Sequence, residues 1–320
     1  MVRVGVTGGT GFIGGGLLPA LAVAGHTPLV VDDRTGPVWV AHAEWPALVA
    51  PYESDRGLRH LADADVILHL GAVSGVMACA KDPPASYRVN VEGTRRLVAM
   101  CRERRIPIAF ASSLAVVGSP DRLPVTEETP ARPTHEYARQ KAEAEQVVRG
   151  PGAEGVMPTA VLRMSNVYGS YSVGARTVSK GNVLTLFLEQ ARAGGLRVNA
   201  PGTQRRDFIH FEDVVAHWTA VVGWLASRVN HPETRTFNVA SGENFSVAEL
   251  AEEVRRLWGE RHATAAPLKI EVVPNPRGGI ELIDPKFQVS RKRTEIDLDV
   301  HCEHRVEGFL RDALARDGNA

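Results

Sequence analysis

Tyr137 is followed four residues later by Lys141. On a helix that spacing places both side chains on one face. A free tyrosine has a pKa of about 10 and is a weak base near neutrality. A neighbouring ammonium favours the phenolate and lowers that value. The pair can therefore take a proton from an alcohol, or return one. Ser113 adds a hydroxyl able to hold the same alcohol oxygen. A Tyr-x-x-x-Lys spacing alone is most often ordinary surface helix. What lifts it above that is Ser113, at the end of an apolar strand, and a glycine-rich turn further upstream.

That turn reads Thr7-Gly8-Gly9-Thr10-Gly11-Phe12-Ile13-Gly14 and lies between a β-branched run and a helical pattern. Gly8 can adopt the positive φ of a tight turn, Gly11 lets a pyrophosphate approach the backbone, and Gly14 lets helix and strand pack closely. Unpaired N–H groups at the helix start then face the phosphates. Asp32 ends the next strand, where a carboxylate bonds both ribose hydroxyls and repels a 2′-phosphate. This favours NAD, while nearby Arg34 keeps NADP open. Gly15, Gly16 and Pro19 are poor helix residues and predict a kink or a late helix start.

Strands are expected over residues 2–7, 28–31, 66–70, 108–112 and 160–163, and helices over 12–24, 90–104 and 137–149. Strand–helix alternation with continuously apolar strands means a parallel sheet covered on both faces. The fold class is α/β: a Rossmann-type doubly wound sheet with a smaller mixed α/β substrate-binding lobe. Such sheets bind ligands at the carboxyl ends of their strands. Residues 165–181, rich in Ser, Gly and Tyr, read as loop. Helices follow at 183–193 and 214–227, a strand at 237–240, a helix from the capping box Ser246/Glu249 to about Trp258, and a strand at 270–273. Residues 286–293 carry four positive charges and read as a solvated loop. Residues 1–164 with about 211–241 would form the NAD domain, and 165–210 with 242–320 the second lobe.

The 320 residues are 44% hydrophobic, with 37 basic against 37 acidic side chains. That balance suits a folded core and points to no nucleic-acid or anionic-membrane partner. Cys79, Cys101 and Cys302 lack metal or disulfide spacing, so no metal site is expected and a reducing cytoplasm fits. No signal-peptide pattern and no apolar run long enough to span a membrane is read.

With these residues in view, the chain resembles the extended short-chain dehydrogenase/reductases, in particular the nucleotide-sugar epimerase/dehydratase family. The landmarks are the glycine turn, Asp32, His69-Leu70-Gly71-Ala72, Asn90-Val91-Glu92-Gly93-Thr94, Ser112-Ser113 through Gly118, and Tyr137 with Lys141. Arg163 through Gly169, Gly202 through His210 and Phe237 through Gly242 continue the likeness over nearly the whole chain. The resemblance implies that Ser113, Tyr137 and Lys141 are catalytic. It implies that Gly8, Gly11, Phe12, Ile13, Asp32, Leu70, Gly71, Ala72 and Asn90 contact NAD with Tyr137 and Lys141. Asn166, Asn182, Arg206 and Arg277, with Ser113, would hold a nucleotide-diphosphate sugar, and two arginines with two amides suit a diphosphate. The family usually forms homodimers through the helices around 90–104 and 137–149.

Dehydratases and decarboxylating members of this family carry acids just after the catalytic serine, where this chain has Leu114 and Ala115. The resemblance therefore implies oxidation at C4 and return of the hydride, a 4-epimerase of a UDP-linked sugar. An NAD(P)H-dependent reductase of a nucleotide-linked 4-keto sugar fits the same motifs, and a non-catalytic dinucleotide sensor is a third reading. Val117, Glu136, Ala138 and Ser170 depart from the family pattern near the sugar pocket, and Arg176 or Lys180 is a candidate for a sugar carboxylate.

Overall fold

The computed structural model describes residues 1–33, 45, 47–173, 176–262, 266–275 and 286–316. Seven strands form one parallel sheet: β1 (Arg3–Thr7), β2 (Thr27–Asp32), β3 (Ala47–Val49), β4 (Val66–His69), β5 (Ile108–Ser113), β6 (Thr159–Met164) and β12 (Thr234–Val239). Their order is β12-β6-β5-β4-β1-β2-β3. The chain runs from β1 outward to β2 and β3, then crosses back to β4 on the other side of β1. The crevice for a ligand opens at that reversal, beyond the carboxyl ends of β1 and β4.

Side chains alternate across the sheet, and both faces are covered. Val4, Val6, Val30 and Leu68 pack with Leu17, Leu18 and Leu21 of the first helix and with Trp218, Val221 and Leu225 of the helix Phe211–Ser227. Leu29, Val31, Ile67, Ile108 and Phe110 face Leu61, Leu97, Val98, Ala144 and Val148 on the other side. A third apolar cluster joins Phe187, Leu188, Phe208, Leu250, Val254, Val306 and Leu310, from later helices and a small sheet. No helix among the described residues is long and apolar enough to cross a membrane.

Three expectations need correction. The first helix starts at Phe12, directly after the turn, and runs through Pro19 to Val23. Three fully buried leucines, each contributing about 1.5–3 kcal/mol, outweigh a proline cost of about 3 kcal/mol. Gly16 is there for space: a Cβ would sit 1.8 Å from the Phe211 ring. Residues 165–181 hold strands rather than loop: β7 (Asn166–Tyr168), β8 (Ser170–Val173) and β9 (Arg176–Ser179). β7 pairs in parallel with β11 (Arg205–His210), which follows β10 (Gly195–Asn199), and β8 pairs antiparallel with β9. Residues 286–293 are not a solvated loop either. Phe287 and Val289 are buried, Val289 bridges to Val125, and a helix begins at Lys292.

The helix Glu136–Ala153, which carries Tyr137 and Lys141, is fixed across β5 and β6 by a buried carboxylate. Glu145 accepts from Arg163 Nε at 3.0 Å and Arg163 Nη2 at 2.9 Å, from Ser112 Oγ at 2.5 Å and from Arg149 Nη2 at 3.1 Å. These cations and hydrogen bonds hold its carboxyl below the usual range against the opposing effect of burial. The Arg163 and Glu145 side chains are only 4% and 1% exposed, so removing one charge strands the other in the interior. Glu145→Gln is expected to destabilise the fold by about 3 kcal/mol in chemical denaturation. The double replacement Glu145→Leu with Arg163→Met should recover most of that loss; a Glu145→Gln protein of unchanged stability contradicts the assignment.

Candidate active site

One cavity of about 860 Å³ runs along the carboxyl ends of β1, β2, β4, β5 and β6. At one end the wall is the glycine turn, at the other Ser113, Tyr137 and Lys141. Gly8 has φ +69°, and a Cβ there would meet the Gly71 nitrogen at 2.7 Å. A Cβ on Gly14 would lie 2.4 Å from the Gly8 carbonyl oxygen. The turn and the loop after β4 thus approach more closely than side chains permit. Gly11, by contrast, meets only the Gly8 oxygen, at 3.2 Å, and otherwise faces open space where a phosphate can come against the backbone. Asp32 accepts from Thr10 N at 2.9 Å, which sets its carboxylate at the edge of the same cavity.

Behind the loop after β4 lies a buried neutral chain. Thr7 Oγ1 bonds His69 Nδ1 at 2.7 Å and accepts from Gly71 N at 3.0 Å. His69 Nε2 meets Thr94 Oγ1 at 3.0 Å, and Thr94 donates to Asn90 O at 2.7 Å. Burial, with the Lys141 charge in second place, pushes His69 down to about 3. Leu70, Gly71 and Ala72 line the cavity, as do Phe12, Ile13 and Asp32. Asn90 does not. It stands behind the loop, in a wide turn of helix at Arg88–Gly93, and clamps Val73 through both its amide hydrogen and its carbonyl.

Lys141 is 3% exposed; its ammonium donates to Ala111 O at 2.7 Å and lies 4.7 Å from the centre of the Phe110 ring. Burial lowers its pKa from 10.5 to about 8. Tyr137 lines the cavity together with Ser113 and Ser74, whose hydroxyls influence its phenol. The expected lowering of the phenol is not what the protein alone provides. Burial is the largest influence and raises it, while the two serine hydroxyls pull it back toward ionisation. Ser74 escaped sequence reasoning, because a serine in a loop carries no spacing signal.

The residues expected to hold a diphosphate are only partly assembled. Asn166 lines the cavity, and its amide donates to Asp207 O at 3.0 Å. Asn182 lines it too, but its carbonyl caps the helix Val183–Arg192, accepting from Leu184 N at 2.9 Å and Thr185 N at 3.2 Å. Arg206 does not line the cavity; it sits on β11, where its charge helps depress His135. Arg277 and Arg34 lie outside the described residues. Lys180 lines the cavity beside Asn182. The carboxylates lining the cavity among the described residues are Asp32, Asp33 and Glu53, all on the β2 and β3 side. Leu114, next to Ser113, is buried, and Ala115 N donates to Ser113 Oγ at 3.2 Å.

A doubly wound parallel sheet with a glycine turn at its switch point and a Ser/Tyr/Lys set across the cavity defines a dinucleotide-dependent protein of the short-chain dehydrogenase/reductase type. The profile of the NAD dependent epimerase/dehydratase family matches residues 4–240, and the chain belongs to that family. NAD is the family's cofactor, and the fit is local: a Cβ fills the approach at Gly8 and Gly14, while Gly11 is open. A UDP-glucose 4-epimerase of Azospirillum brasilense is 30% identical over 98% of this chain and 91% of its own length. The crystal structure of a UDP-glucose-4-epimerase from Stenotrophomonas maltophila, with bound NAD and formylated UDP-arabinopyranose, superposes with TM-score 0.83 at 22% identity over 100% of both chains. TunA, an NAD-dependent NDP-hexosamine 5,6-dehydratase involved in tunicamycin biosynthesis, superposes with TM-score 0.79 at 27% identity, covering 100% of this chain and 99% of its own.

Gly14→Ala forces the turn away from Gly8 and should weaken NAD binding about tenfold or more, equal to about 1.4 kcal/mol, by fluorescence titration; unchanged affinity contradicts the fit. Lys141 yields a pH prediction. Unfolded, its amine holds a proton up to 10.5; folded, only up to about 8. The unfolded chain therefore binds more protons in that window, and folding strengthens as pH rises through it. Relative to Lys141→Met, the native protein should gain on the order of 3 kcal/mol between pH 8 and 10.5. A constant difference overturns the assignment.

Proposed function

We propose that the protein epimerises a nucleotide-diphosphate sugar, a UDP-sugar in the first instance, at C4. Residues 1–164 with 211–241 hold NAD, and 165–210 with 242–320 hold the nucleotide sugar. The observation that carries the choice among the family's reactions is the absence, among the described residues, of a cavity carboxylate near Ser113 and Tyr137. Elimination of water needs an acid and a base beside the reacting carbons. Here the cavity acids lie at the far end, toward Asp32, and Leu114 and Ala115 follow Ser113.

In this reading the Gly8–Gly14 turn and Asp32 hold the cofactor, and bound NAD supplies a reversible two-electron acceptor at C4. Ser113 holds the 4-hydroxyl oxygen. Tyr137, as phenolate, takes the hydroxyl proton while C4 is oxidised to the ketone, and returns it when C4 is reduced. Lys141 supplies the positive charge that favours the phenolate. The 4-keto sugar turns about its diphosphate bonds, so that its other face is reduced.

The test is incubation with UDP-glucose, UDP-N-acetylglucosamine and UDP-glucuronate, with product sugars resolved by chromatography. A C4 epimer without net consumption of cofactor is expected, and Tyr137→Phe should lower its formation by at least about 10²-fold. A protein that binds NAD, forms no epimer and instead oxidises NADH against a 4-keto nucleotide sugar is a reductase, and the epimerase reading falls.

A further inference from the structure

Gln140 occupies the helix position between Tyr137 and Lys141, and the chemistry above gives it no part. Its side chain is nonetheless the centre of a buried polar cluster: Gln140 is 1% exposed, Ser86 1% and Asn90 2%. Gln140 Nε2 donates to Ser86 Oγ at 2.9 Å and to Glu136 Oε1 at 3.0 Å. Gln140 Oε1 accepts from Asn90 Nδ2 at 2.8 Å. The Asn90 amide then grips Val73 from both sides, accepting from Val73 N at 2.8 Å and donating to Val73 O at 3.0 Å. The next residue is Ser74, which lines the cavity with Tyr137 and whose hydroxyl favours ionisation of that phenol. Gly75 follows at φ +103° and is followed by the short helix Val76–Lys81. The path closes on itself: from the helix, through two amides and one loop residue, back to the phenol three residues earlier on that helix.

We propose that Gln140 is a positioning residue that, through Asn90 and the backbone of Val73, holds the Ser74 hydroxyl against Tyr137. It touches neither the cavity nor the reacting atoms. Ser74 is the group that acts on Tyr137: a hydroxyl that donates to the phenolate favours the ionised form. The orientation of Asn90 cannot drift while Gln140 is in place, because a buried amide whose hydrogens are all paired loses a partner in any other pose. The proposal rests on the reading of Tyr137 as the base, so its test reads Tyr137 directly as well as turnover.

The phenol is titrated in the holoenzyme by phenolate absorbance, with Tyr137→Phe as the subtraction that removes the other four of the five tyrosines. Gln140→Met is expected to raise the Tyr137 titration by about one unit, a tenfold loss of phenolate. Ser74→Ala, a change at the cavity wall, should raise it by a similar amount. The double variant should add nothing further, since both act on one interaction. With nucleotide sugar, Gln140→Met should lower kcat roughly tenfold and move KM less than twofold. An unchanged titration in Gln140→Met, or full additivity with Ser74→Ala, overturns the proposal. Should Gln140→Met not fold, an unchanged titration in Ser74→Ala overturns it alone. A shifted titration in a protein that epimerises no sugar retires the epimerase reading and leaves the positioning role standing.

Discussion

The helix that carries Tyr137 and Lys141 is held against the sheet by one buried carboxylate. Glu145 takes hydrogen bonds from the end of β5 at Ser112, from β6 at Arg163 and from its own helix at Arg149. It thereby fixes both the height and the rotation of the helix across the two strands. One turn earlier on that helix Lys141 reaches Ala111, the residue before Ser112, and Tyr137 lies one turn earlier again. Buried ion pairs are seldom the most stable solution for a core. An apolar contact at this place would allow the helix to slide; a two-pronged Arg163–Glu145 contact does not. The positions of the phenol and the ammonium follow from that geometry.

Much of this could be read from the residues. The turn and its strand–helix context, the parallel sheet, the Ser113/Tyr137/Lys141 set and the Ser246/Glu249 capping box all rest on local patterns, and local patterns survive folding. What escaped depends on partners far along the chain. Asn166–Tyr168, Ser170–Val173 and Arg176–Ser179 are strands because residues 205–210 and the β8–β9 pairing supply ladders, not because their composition favours extension. Asn90 looked like a lining residue, yet the wide helical turn at Arg88–Gly93 sets it behind the loop. Arg206 looked like a phosphate ligand, and its strand places it outside the cavity wall. Periodicity announces neither the turn nor the strand's direction.

The overall sheet is shared across a family with several reactions, so it cannot decide among them. The features that distinguish this cavity are small: Leu114 next to Ser113, Lys180 near Asn182, and the polar cluster behind Val73. Leu114 follows β5 and Lys180 follows β9, while Gln140 and Asn90 of the cluster stand on helices; none belongs to the apolar clusters that cover the two faces of the sheet. The large structure is thus tolerant of what the small structure alters, and chemistry can diverge on an unchanged frame.

His69 has one more consequence. Lodged between two threonines and driven to about 3, it stays uncharged across the range in which most proteins live. The loop it supports carries the floor of the dinucleotide site, so that floor does not respond to acidity. Lys141, at about 8, sits across the same cavity and does respond. A change of acidity near neutrality therefore leaves the support of that loop uncharged while it changes the charge on the opposite wall.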